Sequence, residues 1–249
     1  MGKRKSTWVS PKKQKAIDEQ NKRTYKRNFI IAIIICSALV AAIALSIFGI
    51  VMSLRPYYAY IEIDGYGTLV VALNDDLAPD TVDAFVELAE SGYYNGTSFY
   101  RAIKDSYMQG GYRDDIEVEP IKGEFARNGC DYNTLSHVRG TISMSRKSIT
   151  AKDKEEIIKN NPNLSEEEIN KLVAQKAAEY YNTCTGQFFI LQRDKMDWDE
   201  EYAAFGTVIS GMEIVDRICN SIEVENSNGD IKEVNRPIIK SVRIERSYK

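Results

Sequence analysis

The most informative segment of this chain is Gly92-Tyr93-Tyr94-Asn95-Gly96-Thr97-Ser98-Phe99-Tyr100-Arg101, followed by Gln109-Gly110-Gly111. Phe99–Ile103 is a short strand-like run, so Arg101 stands on a strand among aromatic residues. With Gln109 and the later Gln187-Phe188-Phe189, this set is typical of a pocket that hydrogen-bonds a neutral amide. A hydrolase needs a nucleophile beside a base, and the sequence offers no evident pair of that kind. An exposed Arg beside core aromatics is the simpler interpretation of one residue, but not of the ordered set.

Short strand-like runs extend from this segment in both directions. They are Tyr58–Ile63, Thr68–Leu73, Phe99–Ile103, Thr141–Met144, Phe188–Leu191, Ala204–Ile209 and Ile238–Ile244. The first two form a predicted hairpin around Asp64-Gly65-Tyr66-Gly67. One amphipathic helix is predicted to begin near Pro79 and end at Gly92, and another surrounds Val215. Many short strands with two helices favour an all-β fold with helices, namely a closed or nearly closed antiparallel barrel.

Residues 147–181 interrupt this pattern. Ser165-Glu166-Glu167-Glu168 is a capping box, and apolar residues follow it at helical spacing. A shorter helix is predicted over Asp153–Lys159, ended by Asn160-Asn161-Pro162. The segment therefore predicts a helical hairpin inserted into the β framework. Its apolar stripe could lie on the barrel wall, arch over a groove as a lid, or bind a partner.

The N-terminal part differs sharply from the rest in charge. Residues 1–28 carry ten Lys and Arg against Asp18 and Glu19, a net charge of +8, whereas residues 56–249 carry 22 basic and 34 acidic residues, a net charge of −12. A nucleic-acid-binding domain would itself be basic, so that class is disfavoured.

The single histidine, His137, excludes paired-His zinc sites, and its position outside the motifs predicts a structural or surface role.

An uncharged run of 26 residues, Phe29–Leu54, separates these two parts. As a helix it would measure about 39 Å, enough to cross a ~30 Å hydrocarbon core. A cleaved signal peptide is disfavoured because its apolar region is usually about 7–15 residues long. The sequence thus predicts a basic cytoplasmic tail (1–28), a single transmembrane helix (29–54) and a C-terminal domain (57–249). The positive-inside rule places the C-terminal domain outside the cell membrane. The basic tail is expected to contact anionic lipid head groups.

Seven motifs in the C-terminal domain resemble those of a cyclophilin-type peptidyl-prolyl isomerase, in a membrane-anchored bacterial form. In order they are Leu77-Ala78-Pro79-Asp80-Thr81-Val82 through Phe85, Gly92 to Arg101, Gln109-Gly110-Gly111, Gly123-Glu124-Phe125, Arg139-Gly140-Thr141-Ile142-Ser143-Met144, Gln187-Phe188-Phe189-Ile190, and Phe205-Gly206-Thr207-Val208 into Gly211-Met212. They cover roughly residues 59–245, interrupted by the insertion. The resemblance implies a closed eight-stranded antiparallel barrel capped by two helices, with no metal and no organic cofactor.

The resemblance also implies which residues form the site. Arg101 would be the catalytic group, Gln109 would orient it, and Phe189 would form the floor of a proline pocket. The implied substrate-binding residues are Phe99, Tyr107, Met108, Gln109, Ser145, Arg146, Gln187, Phe189, Trp198 and Tyr202. Trp198 and Tyr202 would be walls of the pocket, and the backbone at Ser145-Arg146 would pair with the bound peptide.

The sequence departs from the family pattern beside Arg101. Counted without gaps, the family's pocket Phe falls on Ser106 and its pocket Met on Tyr107. A local shift would instead place Tyr107 and Met108 there, and both registers stay open. Arg146 stands at a position where the family commonly has Asn. The family's Asn acts through its backbone, so the change at Arg146 is tolerable, whereas the changes beside Arg101 predict a shallower or more polar pocket.

The function implied is isomerisation of X–Pro bonds in unfolded or exported polypeptides at the outer face of the membrane. The alternatives are a non-catalytic module that binds proline-containing peptides, and a membrane-anchored scaffold that acts through its insertion.

Three cysteines, Cys130, Cys184 and Cys219, lie in the C-terminal domain. The family topology implied by the resemblance brings Cys130 and Cys184 to one side of the barrel, where a disulfide is a hypothesis.

Overall fold

The computed structural model describes residues 10–53 and 56–246, which form two compact units divided between Arg55 and Pro56. Leu54 and Arg55, at the predicted end of the transmembrane segment, lie outside the described residues, as do residues 1–9 of the tail and 247–249. The first unit is one helix, α1, from Pro11 to Ser53. Its 43 residues correspond to a length of about 65 Å.

Helix α1 begins earlier than the predicted span. It includes basic residues from Lys12 to Arg27 as well as the apolar run from Phe29, because the lysines, glutamines and alanine of this stretch favour helix. Of the described helices, α1 alone is long and apolar enough to cross a membrane. A helix with these properties at an N-terminus is typical of a membrane anchor or a signal sequence.

The second unit is built around one antiparallel sheet of eight strands. Their bounds are β1 Tyr58–Ile63, β2 Gly67–Leu73, β3 Phe99–Ile103, β4 Tyr107–Gly110, β5 Thr141–Met144, β6 Phe188–Leu191, β7 Ala203–Ser210 and β8 Ile239–Glu245. The order across the sheet is β3-β4-β6-β5-β7-β2-β1-β8. All strands of the sequence analysis are present, and β4 is the one that the alternation pattern missed. It spans four residues and has no polar–apolar alternation strong enough to mark it.

The sheet is an open half-barrel, so the expected closed barrel is wrong. Its end strands β3 and β8 meet only through an isolated bridge between Ser98 and Ile238, just outside both strands. The free edge of β3 is instead occupied by residues 229–231: the Ala102 N–H donates to the Gly229 carbonyl and the Ile231 N–H donates to the Tyr100 carbonyl. Because this segment uses the hydrogen-bonding groups of β3, strand β8 cannot continue along it.

Two amphipathic helices cover the open ends of the sheet, as predicted. Helix α2, Pro79–Glu90, buries Val82, Phe85 and Ala89 against the sheet. Helix α5, Met212–Ser221, buries Val215 and Ile218. The core between them is rich in aromatic rings, with Phe85, Tyr94, Phe99, Phe188 and Phe205 all fully buried. This packing fixes which side chains of each strand point inward, and hence which point outward.

The insertion forms the predicted helical hairpin. Helix α3 spans Ala151–Asn160 and helix α4 spans Glu166–Glu179, and each begins with a capping box, at Thr150 and Ser165 respectively. The two helices contact each other, and no residue of either is buried. The apolar side chains of the hairpin therefore lie between its two helices and stay partly exposed, rather than buried against the barrel wall.

Cys130 and Cys184 are both buried as free thiols, so the hypothesis of a disulfide between them is wrong.

Candidate active site

Strand pairing brings the outward-facing residues of three strands into one row. Arg101 on β3 pairs with Gln109 on β4, and Gln109 pairs with Phe189 on β6. Adjacent strands lie about 4.8 Å apart, so residues in register on one face are direct neighbours. The sheet thus brings together three side chains that are up to 88 positions apart in sequence, as the resemblance implied.

Arg101 is held by two partners. Its Nε donates to Asp230 Oδ1 at 3.3 Å, and its Nη1 donates to Gln109 Oε1 at 3.3 Å. Gln109 in turn donates from Nε2 to Ser145 Oγ at 2.9 Å. The Arg101 side chain is 32% exposed. Its guanidinium, which is permanently charged, is therefore held in a fixed orientation and is accessible from solvent.

Asp230 is a contributor to the site that the sequence analysis missed. It lies in the segment that covers the free edge of β3, and its other carboxylate oxygen accepts from Asn226 Nδ2 at 2.9 Å. The hydrogen bond from Asn226 and the nearby Arg101 lower the pKa of Asp230, which keeps the carboxylate charged. The sequence Asn-Ser-Asn-Gly-Asp at residues 226–230 predicts a turn. It does not predict that Asp230 contacts Arg101, because the two residues are 129 positions apart in sequence.

Four aromatic side chains form a cluster beside Arg101. They are Tyr107, Phe189, Trp198 and Tyr202. Phe189 is at the centre, with ring centroids 5.6 Å from Tyr107, 5.6 Å from Trp198 and 5.4 Å from Tyr202. The surrounding rings leave Phe189 only 3% exposed. The cluster provides an apolar surface in which Tyr107, Trp198 and Tyr202 all pack against Phe189.

The structure places the residues beside Arg101, for which two registers were open, on opposite faces of β4. Met108 is fully buried and faces the core, which places Tyr107 and Gln109 on the opposite face, toward the site. Phe99 is also fully buried and packs edge-on against Phe188 at 5.8 Å. Phe99 and Met108 are therefore core residues, and their expected contact with substrate is wrong. Tyr107 faces the aromatic cluster, and Ser106 lies in the turn before β4.

His137 lies next to the cluster and is buried, so of the structural and surface roles predicted for it the surface role is wrong. Its ring is fully buried and stacks on Phe189 at 6.2 Å with an interplanar angle of 24°. Nδ1 lies 2.9 Å from Asp199 Oδ1, and Nε2 lies 3.1 Å from Ser143 Oγ. Burial lowers the pKa of His137, while Asp199 acts in the opposite direction. This Ser–His–Asp chain resembles a hydrolase triad, but Ser143 and His137 are both fully buried, so the three residues support Phe189 from behind.

Arg146 contributes its side chain as well as its backbone. Its guanidinium is 6% exposed, donates to the Glu201 carbonyl and carboxylate at 2.8 Å and 2.7 Å, and lies 4.7 Å from the Tyr202 ring. It thereby fixes one wall of the aromatic cluster. A residue expected to act through its backbone alone is thus also a structural anchor.

The surface that carries Arg101, Gln109 and the aromatic cluster forms a groove, and beyond Gln109 this groove continues into a cavity of about 400 Å³. It is lined in part by Ser145, Gln187 and Tyr93. The Ser145 N–H donates to the Gln187 carbonyl at 2.8 Å, and the Tyr100 hydroxyl donates to Gln187 Oε1 at 2.6 Å. Burial raises the pKa of Tyr100, so this hydroxyl remains a donor at neutral pH. Polar groups on this side and aromatic rings on the other are suited to an extended peptide with an apolar ring in the middle.

Within residues 10–53 and 56–246, no group of three or more His, Cys, Asp or Glu side chains is placed to hold a metal ion. The chemistry that the described residues offer is that of a fixed cation beside an apolar pocket. Such a site can stabilise a change of charge in a bound amide.

The same arrangement of motifs occurs in known proteins. A family model described as cyclophilin type peptidyl-prolyl cis-trans isomerase/CLD matches residues 58–248. The chain is 33% identical over 183 residues to peptidyl-prolyl cis-trans isomerase A of Dickeya dadantii, covering 70% of this chain and 76% of that protein. It is 29% identical over 166 residues to peptidyl-prolyl cis-trans isomerase B of Escherichia coli, covering 61% of this chain and 79% of that protein.

The fold is similar to that of a solved cyclophilin-type isomerase from Cryptosporidium parvum. The TM-score is 0.54 at 24% identity, and the match covers 76% of this chain and 98% of that chain. Fold, motif order and sequence identity agree. The chain belongs to the cyclophilin family of peptidyl-prolyl cis-trans isomerases.

Proposed function

We propose that this protein is a membrane-anchored isomerase that accelerates rotation about X–Pro bonds of exported, incompletely folded polypeptides, with Arg101 as its catalytic residue. The observation that carries the proposal is the row of Arg101, Gln109 and Phe189 across strands β3, β4 and β6. This row combines a fixed cation, its orienting amide and the centre of an aromatic pocket on one face.

The reaction explains why this combination is sufficient. An X–Pro bond rotates slowly because amide resonance opposes the twist, with a barrier of ~18–20 kcal/mol. In the twisted state the proline nitrogen becomes pyramidal and regains a lone pair, which a charged N–H donor can stabilise. Arg101, held by Asp230 and Gln109, keeps its donors in place and needs no covalent step.

The rest of the substrate is proposed to lie in the groove on either side of the pocket. The proline ring would contact Trp198 and Tyr202 beside Phe189, after the ring of Tyr107 has moved aside. The preceding residues would extend past Gln109 toward Ser145 and Gln187, where polar groups face the 400 Å³ cavity. Several weak contacts along an extended chain suit an enzyme whose clients are unfolded and varied in sequence.

The membrane location rests on α1 and on the charge of the residues before its apolar part. Ten basic residues precede Phe29, and the positive-inside rule keeps such flanks in the cytoplasm. The domain from residue 57 onward would then face the outside of the cell membrane. Its clients would be chains that have just crossed the membrane, and its tail would contact anionic lipid.

A second candidate is a module that binds proline-containing peptides without catalysis. The observation in its favour is that Tyr107 covers Phe189, which leaves the floor of the pocket 3% exposed. A proline ring must then displace Tyr107 or bind more superficially. Superficial binding would hold the peptide while leaving Arg101 too far from the rotating bond.

The decisive experiment measures cis–trans exchange of an X–Pro tetrapeptide by NMR, using the full-length protein in detergent micelles. The proposal expects exchange to accelerate in proportion to protein concentration. Peptide binding, seen as chemical-shift changes, without any acceleration would support the binding module instead.

A further inference from the structure

A second cavity lies behind the wall of the aromatic cluster, at the base of the insertion. Its volume is about 410 Å³, within the ~300–1,000 Å³ range of small-ligand sites. On one side it is lined by Trp198 and Tyr202, which also contact Phe189. On the other side it is lined by Ile149, Ala177 and Tyr181 from the insertion and its ends. One layer of side chains therefore separates this cavity from the proline pocket.

Four charged side chains line the cavity, and three of them, Arg127, Arg146 and Glu201, are joined by ion pairs, while the fourth, Asp197, is exposed to solvent. Arg127 forms ion pairs with Glu200 and Glu201, and Arg146 forms an ion pair with Glu201 at 2.7 Å. A charged ligand would have to compete with these contacts. The rest of the lining is mainly aromatic and aliphatic, from Trp198, Tyr202, Tyr181, Ile149 and Ala177, and both arginines are already paired, so the chemistry favours a neutral, apolar side chain.

The cavity is also held in shape before any ligand binds. The Tyr181 ring packs edge-on against Phe125 at 5.1 Å and lies 5.1 Å from the Arg146 guanidinium. The two ends of the insertion are tied together by a hydrogen bond from the Lys147 N–H to Thr183 Oγ1 at 2.9 Å. A preformed wall reduces the conformational entropy that a ligand must remove on binding.

We propose that this cavity is a specificity subsite that binds a large apolar side chain, aromatic or branched aliphatic, located within three residues of the proline in the same substrate chain. The occupant follows from continuity, since Trp198 and Tyr202 face the proline pocket with one side and the cavity with the other. This inference rests on the proposed function and gives the insertion a role in choosing clients. The subsite would select client chains with exposed apolar side chains near a proline, and such exposure is typical of an unfolded chain.

The test uses full-length protein in detergent and a series of peptides. Each peptide contains Ala-Pro in an alanine background with one Phe, placed in turn at the three positions before and the three after this dipeptide. Wild type is expected to show a kcat/KM about tenfold higher for one Phe position than for the all-alanine peptide. Ala177→Trp, which fills the cavity, is expected to reduce this ratio to about one.

The matched control is Ala178→Trp, because Ala178 is the next residue of α4 and is exposed. This variant is expected to keep the wild-type ratio. Tyr181→Ala removes a wall instead of filling the space and is expected to lower the ratio too, and circular dichroism confirms that each variant is folded. Equal kcat/KM for every Phe position in wild type, or an unchanged ratio in folded Ala177→Trp, would overturn the proposal.

Peptide affinity separates this proposal from the proposed function. Dissociation constants measured by NMR titration are expected to show the same Phe preference in wild type and in Arg101→Ala. A binding preference that Ala177→Trp abolishes, in a protein that accelerates no peptide, would support the subsite and contradict the isomerase. Isomerisation without any Phe preference in rate or affinity would do the reverse.

Discussion

Arg101 depends on side chains from distant parts of the chain for its orientation. Gln109 is eight residues away along a hairpin, whereas Asp230 is 129 residues away. The two partners bond different nitrogen atoms of one planar group. Since a guanidinium presents its donors in a fixed fork, two such contacts define both its position and its plane.

Replacing this group tests the catalytic role directly. Arg101→Ala is expected to lower kcat/KM for an X–Pro tetrapeptide by about two to three orders of magnitude, the effect of losing a preorganised donor. Arg101→Lys is expected to perform poorly as well, because a compact ammonium lacks the planar fork. Exchange NMR measures the rate, and thermal unfolding controls for folding. Equal accelerated rates in wild type and Arg101→Ala would show that Arg101 is not the catalytic residue, and no acceleration by either protein would support the binding module.

Tyr107 is the residue that distinguishes this pocket most clearly. Its ring lies 5.6 Å from both Phe189 and Trp198 and covers the floor of the pocket. Tyr107→Ala is expected to raise kcat/KM about twofold to tenfold, because the ring no longer has to be displaced and fixed, at ~0.5–1.5 kcal/mol. Tyr66→Ala, at the β1–β2 turn, is the control. A lower rate in Tyr107→Ala alone would show that Tyr107 holds the proline.

His137 makes the stability of the domain depend on pH. Burial lowers its folded-state pKa below the ordinary value of 6.5, so the unfolded chain binds the proton more readily. The free energy of unfolding is therefore expected to be fully retained above about pH 6.5 and to decrease as the pH falls below it. Urea unfolding between pH 5 and 7.5 measures this dependence. His137 is the only histidine, so a slope that persists in His137→Asn would contradict the assignment.

Among the helices and strands of the second unit, those of the insertion are the least integrated into the fold. No residue of α3 or α4 is buried, whereas Tyr181, just beyond α4, packs against Phe125 and Arg146. The division between appendage and core therefore falls inside the predicted segment 147–181. Only the part between its two ends is independent of the barrel.

Two deletions test this division. Replacing residues 151–179 by a short Gly/Ser loop is expected to change the free energy of unfolding by about 0.5 kcal/mol or less, the size of a surface change. Turnover of an all-alanine tetrapeptide should change little, while catalysis of refolding of an unfolded protein should decrease. Replacing residues 147–181 also removes Tyr181 and is expected to cost more than ~1 kcal/mol. Equal stability of the two variants would place the boundary elsewhere.

At the scale of the whole molecule, the two units differ in charge and in chemistry. The basic residues cluster before the apolar part of α1, and the folded domain carries a net charge of −12. An acidic domain is repelled by anionic lipid head groups, whereas a basic tail is attracted to them. In the proposed function, this asymmetry would keep the domain close to the membrane without adhering to it.

The orientation across the membrane is testable in intact cells. Protease added from outside is expected to degrade residues 56–249 and to spare an epitope placed on residues 1–28. Immunoblots against the two parts measure the outcome, and a cytoplasmic protein serves as the control for lysis. Protection of the domain in unlysed cells would exclude the exported orientation.

Local sequence determined most of the elements of this protein. Alternation marked seven of the eight strands, a capping box marked the second helix of the insertion, and a Pro-containing stop marked the end of the first, because these patterns depend on residues only a few positions apart. The ordered motifs also sufficed to bring Arg101, Gln109 and Phe189 together. Each of these inferences needs the identity of the residues but not their coordinates.

Only the tertiary structure decided which side of a strand faces the site and where the sheet ends. Alternation shows that Tyr107 and Met108 point to opposite faces, but the choice depends on which of them the core buries. The contact of Asp230 with Arg101, the stacking of His137 on Phe189 and the covered edge of β3 likewise join distant segments. Such contacts result from the packing of the whole domain, and no short stretch of sequence records them.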